Sequence, residues 1–246
     1  MHRNTRVVLL GAVLAASGCG PLARIPDVPQ TIPDQLANGD SVALLARTLA
    51  PTLYVQRDEP FTLERVVAVV HPSRRIIAYH LLWRDDAYGS WLPFSEPTDA
   101  EIVWVGHDAS LAPIDVWTYW HGTILHTDWR GKGPVAIDVQ WGKHGSLPRA
   151  ADLDDLPPLK SLDVFYALTW FGIPDLWLGN LSRDGPWCFC HGYTRYRDFS
   201  RTVPLTSRID AVVRVADPRT ALRAMFGTGY TNKRPWPLDV EHYTPR

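Results

Sequence analysis

Short β-branched and aromatic runs, divided by turn signals, recur along residues 53–141. Residues 53–55 form a short strand candidate. Residues 66–70 and 76–83 are two longer runs, separated by the turn signal His71-Pro72-Ser73. Residues 85–98 read as a loop. The runs at 102–105, 114–120, 124–126 and 135–141 continue the series. Strands at roughly ten-residue spacing predict a sandwich or a barrel. One earlier stretch has a helical period: Val42, Leu45, Ala46 and Leu49 fall on one face over residues 41–49. Asp40 or Ser41 can cap that helix, and Pro51 ends it. The second half is less regular. Residues 161–171 fit a helix or a buried strand, residues 174–186 a loop, and residues 208–215 alternate like a strand. A last helix is expected from Asp217-Pro218 to Phe226, with Gly227 as its stop. No internal repeat or coiled-coil heptad interrupts this pattern, so residues 40–246 are expected to form one mainly β domain.

The front of the chain has a different pattern. Arg3 and Arg6 precede an apolar stretch at residues 7–16, broken only by Gly11. A bilayer span needs about 20 apolar residues, so residues 1–18 read as a secretory signal. Ala16-Ser17-Gly18-Cys19 resembles the lipobox of bacterial lipoproteins, with Ala16 where Leu is usual. That resemblance implies a lipidated Cys19 and a chain held on a bacterial membrane. An ordinary signal peptide with an incidental Cys is the alternative. Residues 21–38 hold four prolines and no sustained apolar period, so residues 19–39 read as a tether. The domain is then expected in the cell envelope, outside the cytoplasm.

Composition narrows the partners. Losing Arg3 and Arg6 with the signal leaves 23 of 25 basic residues against 26 acids, a formal charge of −3. No basic patch suited to nucleic acid is evident. Eleven Trp and 21 Pro against two Met favour β-structure with many loops. Cys188 and Cys190 flank Phe189. Strand neighbours at i and i+2 lie about 6.5–7 Å apart, near the outer limit for a disulfide. Cys188-Phe189-Cys190-His191 could instead be half of a metal site, but no second Cys pair exists.

The candidate chemistry gathers between Asp99 and Pro148. Asp99 and Glu101, at i and i+2 in a strand, face the same way. Two such carboxylates repel unless a cation separates them, and hard divalent ions take oxygen ligands. Asp85 and Asp86 end the preceding strand, and a hairpin would bring Asp86 back towards Asp99. The expected metal ligands are therefore Asp86, Asp99 and Glu101, for a divalent cation such as Ca²⁺ or Mg²⁺. Six of the nine His lie between residues 71 and 144. His121 ends a strand at Gly122, His126 and Asp128 share a face, and His144 lies in a turn that could present its ring. His121 or His144 could serve as acid or base beside a metal-bound water, be a ligand, or be structural. No nucleophile elbow, His-Glu-x-x-His, P-loop or dinucleotide fingerprint is present. Seven of the 11 Trp lie between residues 83 and 141, fit for core packing or for stacking on sugar rings.

Two family resemblances draw these pieces together. Residues 45–54 with Asp58-Glu59-Pro60-Phe61, then Asp99-Ala100-Glu101, His121 and His144-Gly145-Ser146-Leu147-Pro148, resemble a vacuolar-sorting-protein-like family. More distantly, Ile77-Ala78-Tyr79-His80-Leu81-Leu82, Asp86 and Thr98-Asp99-Ala100-Glu101 are similar to motifs of the necrosis- and ethylene-inducing peptide-like proteins. Thr98 and Ala100 stand where that second family has His and Trp. The resemblance implies an antiparallel β-sandwich with a few peripheral helices, a divalent cation at one end, and a glycan or glycolipid partner. A metal-dependent hydrolase of envelope substrates, and a structural lipoprotein with a decayed site, are the alternatives.

Overall fold

The computed structural model describes residues 27–29, 31–84, 99–120, 123–149 and 199–237. The expectations for Cys19, Asp86, His121, Cys188 and Cys190, for the loop at 85–98 and for residues 161–186 fall outside the described residues.

Two β-sheets face each other. In the larger, β2 (Leu63–Val70), β3 (Ile76–Trp83), β4 (Asp99–His107), β5 (Pro113–Trp120) and β6 (Thr123–Asp128) follow one another as an antiparallel meander. A late strand, β10 (Ala211–Arg214), adds to the β2 edge in parallel. The smaller sheet has the order β8 (Ser146–Pro148), β7 (Ala136–Val139), β1 (Thr52–Gln56), β9 (Phe199–Pro204). The mainly β sandwich is therefore what forms, with two parallel pairings, β1–β7 and β2–β10, among antiparallel ones. Both join strands far apart in sequence, as parallel pairing requires, and periodicity carries no trace of them.

β3 explains why one stretch of sequence is almost continuously apolar. All eight of its residues are buried, because both faces of the larger sheet are covered. Ile77, Tyr79, Leu81 and Trp83 point between the sheets, against Leu53, Val55, Ile137 and Val139. Ile76, Ala78 and Leu82 point the other way. That second face lies under α2 (Arg219–Phe226), which contributes Ala221, Leu222, Met225 and Phe226.

The helices sit at the periphery, as expected. α1 (Ser41–Thr48) starts at Asp40, whose carboxylate accepts from Val42 N at 2.7 Å. Its Ala43 and Ala46 enter the inter-sheet core, and the buried Tyr79 hydroxyl donates to Ala46 O at 2.8 Å. α2 follows Pro218 and ends at Gly227, whose φ of 56° is left-handed, a conformation that glycine adopts without strain. Among the described residues no helix is long and apolar enough to cross a membrane.

Candidate functional site

The β3–β4 hairpin sets Trp83 directly opposite Asp99. Asp99 and Glu101 alternate in step with Val103 and Val105, which belong to the core between the sheets. The two carboxylates thus open β4 on its inward side, as the i, i+2 spacing predicts. They then take different partners.

Asp99 binds His144. The imidazole Nδ1 lies 3.0 Å from Asp99 Oδ2, and Nε2 lies 3.2 Å from Glu59 Oε1. Glu59 comes from the loop after β1, and it also accepts from Phe61 N at 3.1 Å and Gly142 N at 2.8 Å. Trp83 stacks on the imidazole at 4.1 Å and 2°, and Phe61 meets it edge-on at 5.9 Å. The His144 side chain is 0% exposed and that of Glu59 1%. The turn expected to present this ring encloses it instead, and Ser146–Pro148 continues as β8 rather than as turn. His144 has φ 55°, a left-handed conformation that is uncommon outside glycine. Its two carboxylate bonds and the stacked indole hold it there.

Burial alone would push the His144 pKa down. The hydrogen bonds and charges of Asp99 and Glu59 overcome that, and lift it to about 9. Asp99 is lowered on balance: burial opposes its ionisation, while His144 and Lys233 favour it. At neutral pH His144 is an imidazolium donating through both nitrogens. It has no lone pair with which to act as a base, and no open face towards solvent.

Glu101 pairs with a residue the sequence pattern did not single out. Lys233 Nζ lies 3.0 Å from Glu101 Oε1, donates to the Ala100 carbonyl, and sits 4.3 Å from the centroid of the Tyr119 ring. Burial pushes Glu101 up to about 8 against the pull of that ammonium. Burial lowers Lys233, but Glu101 and Asp99 raise it further, so it keeps its proton. Glu101 Oε2 is buried with no hydrogen-bond partner among the described residues. On the opposite face of the sheet, His80 is driven down to about 3 by burial and by Lys233, and its Nε2 is also unpartnered among the described residues. Asp99 and Glu101 thus find cationic partners within the chain, His144 and Lys233.

A second group lies on the outer face of the β5–β6 hairpin. Asp115 pairs directly with Asp128, and Trp117 with His126. One ligand atom from each of Asp115, His126 and Asp128 lies within 4.8 Å of the others. His126 Nε2 is 2.9 Å from Asp115 Oδ1, its ring stacks on Trp117 at 4.7 Å, and Arg130 reaches Asp128 at 3.3 Å. His126 and Asp128 are exposed and Asp115 is half-buried. Two carboxylates and an imidazole are a donor set for a divalent ion. Bonds of about 2.3–2.6 Å place opposite ligands of Ca²⁺ roughly 5 Å apart, which matches this span. The shared face of His126 and Asp128 is visible in the sequence. Asp115 follows from counting back across a connection of two residues, because Trp120 opposite Thr123 sets Asp115 opposite Asp128.

Most of the described tryptophans are structural. Trp83, Trp104, Trp117 and Trp120 are fully buried, which is core packing rather than an exposed stacking platform.

No family model matches the chain, and no curated protein matches it. Among solved structures it is similar to NLPPya in complex with mannosamine, at 14% identity over 49% of this chain and 73% of that one, with a TM-score of 0.34. NLPPya in complex with glucosamine gives 13% identity over 49% and 74%, with a TM-score of 0.36. A structure described as a toxin fold as basis for microbial attack and plant defense gives 14% identity over 53% and 78%, with a TM-score of 0.35.

Proposed function

We propose that the chain is a divalent-cation-assisted binding module for glycan or glycolipid headgroups, held at the surface of a bacterial membrane by lipidated Cys19 and working outside the cytoplasm as one domain. The observation that carries the cation is the Asp115–His126–Asp128 group, which faces solvent on the paired strands β5 and β6. A divalent ion held by three protein ligands on a surface keeps further coordination positions. Paired hydroxyl oxygens of a sugar are hard ligands suited to those positions. Asp99 and Glu101 are less suited to the ion, because His144 and Lys233 already occupy them. Binding fits better than hydrolysis: His144 is enclosed and doubly bonded, with no route to act on a bound water.

The test is thermal denaturation of the domain in EDTA and then with Ca²⁺, Mg²⁺, Mn²⁺ or Zn²⁺. An ion at 100 times its Kd should add about 2.7 kcal/mol. Asp115→Asn and Asp128→Asn should abolish that gain, while Asp99→Asn should leave it. If no ion raises the wild-type melting temperature, the cation reading fails. Glycan-array binding with and without EDTA then decides the ligand class. Labelling with a fatty-acid analogue in wild type and Cys19→Ala decides the anchor.

A further inference from the structure

The surroundings of Lys233 form a second site that the cation reading does not use. On β4, pairing with β5 reaches only as far as Val103 opposite Thr118 among the described residues. Near the start of that strand the Ala100 carbonyl accepts a hydrogen bond from Lys233. Glu101 Oε1 supplies a second acceptor at 3.0 Å and the Tyr119 ring a π-face at 4.3 Å. A carbonyl, a carboxyl group and an aromatic face suit a primary ammonium: they offer N–H acceptors and a cation–π surface, with a counter-charge added once Glu101 ionises. Glu101 is 94% buried by its 6% exposure, and its Oε2 has no partner among the described residues. The carboxyl group thus has hydrogen-bonding capacity that Lys233 does not use.

Lys233 reaches this place on a segment without helix or strand, residues 230–237. Side-chain bonds hold that segment. Trp104 Nε1 donates to Pro235 O at 2.8 Å, and Trp236 Nε1 donates to Ala216 O at 2.7 Å. Segments with few backbone bonds to their neighbours open at lower free energy than sheet strands.

We propose that Ala100 O, Glu101 and Tyr119 form a receptor for a primary ammonium group, filled at rest by the chain's own Lys233 and open to a ligand that carries such a group when residues 230–237 lift. The receptor discriminates –NH₃⁺ from quaternary ammonium, because two of its contacts require N–H donors. It is independent of Asp115, His126 and Asp128.

The first experiment is chemical rescue in the full chain. Lys233→Ala should melt below the wild type. Butylammonium should restore its melting temperature saturably, and tetramethylammonium should do so about tenfold less effectively or not at all. Adding Glu101→Gln should remove the rescue, and Asp115→Asn should leave it. Equal action of the two cations, or none, overturns the receptor. A second measurement uses the wild type and does not depend on the variant folding. Amide hydrogen exchange in residues 230–237 should rise with butylammonium and stay unchanged with tetramethylammonium; no rise overturns the ligand role. Two further arms separate the sources of the amine. Galactosamine against galactose reports a sugar amine. Phosphatidylethanolamine against phosphatidylcholine vesicles reports a lipid headgroup. Exchange in residues 230–237 that rises with neither amine overturns the ligand role as well.

Discussion

His144 shows how much can hang on one side chain. Its imidazolium lies between Asp99 and Glu59, at 3.0 and 3.2 Å, with none of its side chain exposed. Removing one partner of a buried ion pair leaves an uncompensated charge and costs about 3–5 kcal/mol. His144→Gln is therefore expected to lower unfolding free energy by that amount in a urea titration; a loss under about 1 kcal/mol would contradict the network. Tyr79→Phe makes a useful contrast, because it removes one neutral hydrogen bond to Ala46 O and should cost only about 1 kcal/mol. The sequence shows Asp99, Glu101 and His144 as chemistry-bearing residues but not how they divide. Glu59 and Lys233 are the residues that divide them, at 85 and 132 positions from their partners. No local spacing encodes contacts that long. The φ of 55° at His144 is equally unreadable in a Gly-Lys-His-Gly turn, where glycine is the obvious candidate for the left-handed position.

Elements with a local cause are the legible ones. β3 occupies residues 76–83, as its apolar run predicts. α1 begins at its Asp40 cap and α2 stops at Gly227, because caps and stops act within a few residues. β9 has no comparable signal: Phe-Ser-Arg-Thr-Val-Pro is mostly exposed and is a strand because β1 offers it an edge. β8 is three residues long, too short for any period. These differences fix where single changes should act. Asp40→Ala removes the acceptor for Val42 N and should cost about 1 kcal/mol. Met225→Ala, fully buried under the larger sheet, should cost about 2–5 kcal/mol. Chemical denaturation of the two variants should rank them in that order, and the reverse order would mean that α2 does not cover the sheet.

At the scale of the whole molecule, the buried titratable groups should give stability a skewed pH profile. His144 rises from 6.5 to about 9 on folding. Its contribution is complete below pH 6.5 and is lost as pH rises through 9. Glu101 rises from 4.5 to about 8, so the folded state holds its proton more tightly. That contribution is complete below pH 4.5 and fades as pH climbs through 8. His80 falls from 6.5 to about 3; its contribution is present above pH 6.5 and is lost as pH drops through 3. Between pH 4.5 and 6.5 the losses at Glu101 and the gains at His80 oppose each other, so stability should change little. From pH 6.5 to 8 His144 and Glu101 act together, and the slope approaches two protons, about 2.7 kcal/mol per pH unit as an upper bound. Melting temperature should therefore have its plateau on the mildly acidic side of neutrality and fall steeply into the alkaline range. Glu101→Gln should roughly halve the slope between pH 6.5 and 8, since its amide does not titrate; His144→Gln should halve it likewise and flatten the limb from pH 8 to 9. A wild-type profile level from pH 6.5 to 9 would mean that these groups exchange protons in the folded state as freely as in the unfolded chain, and that the enclosure of His144 and Glu101 does not govern their charge.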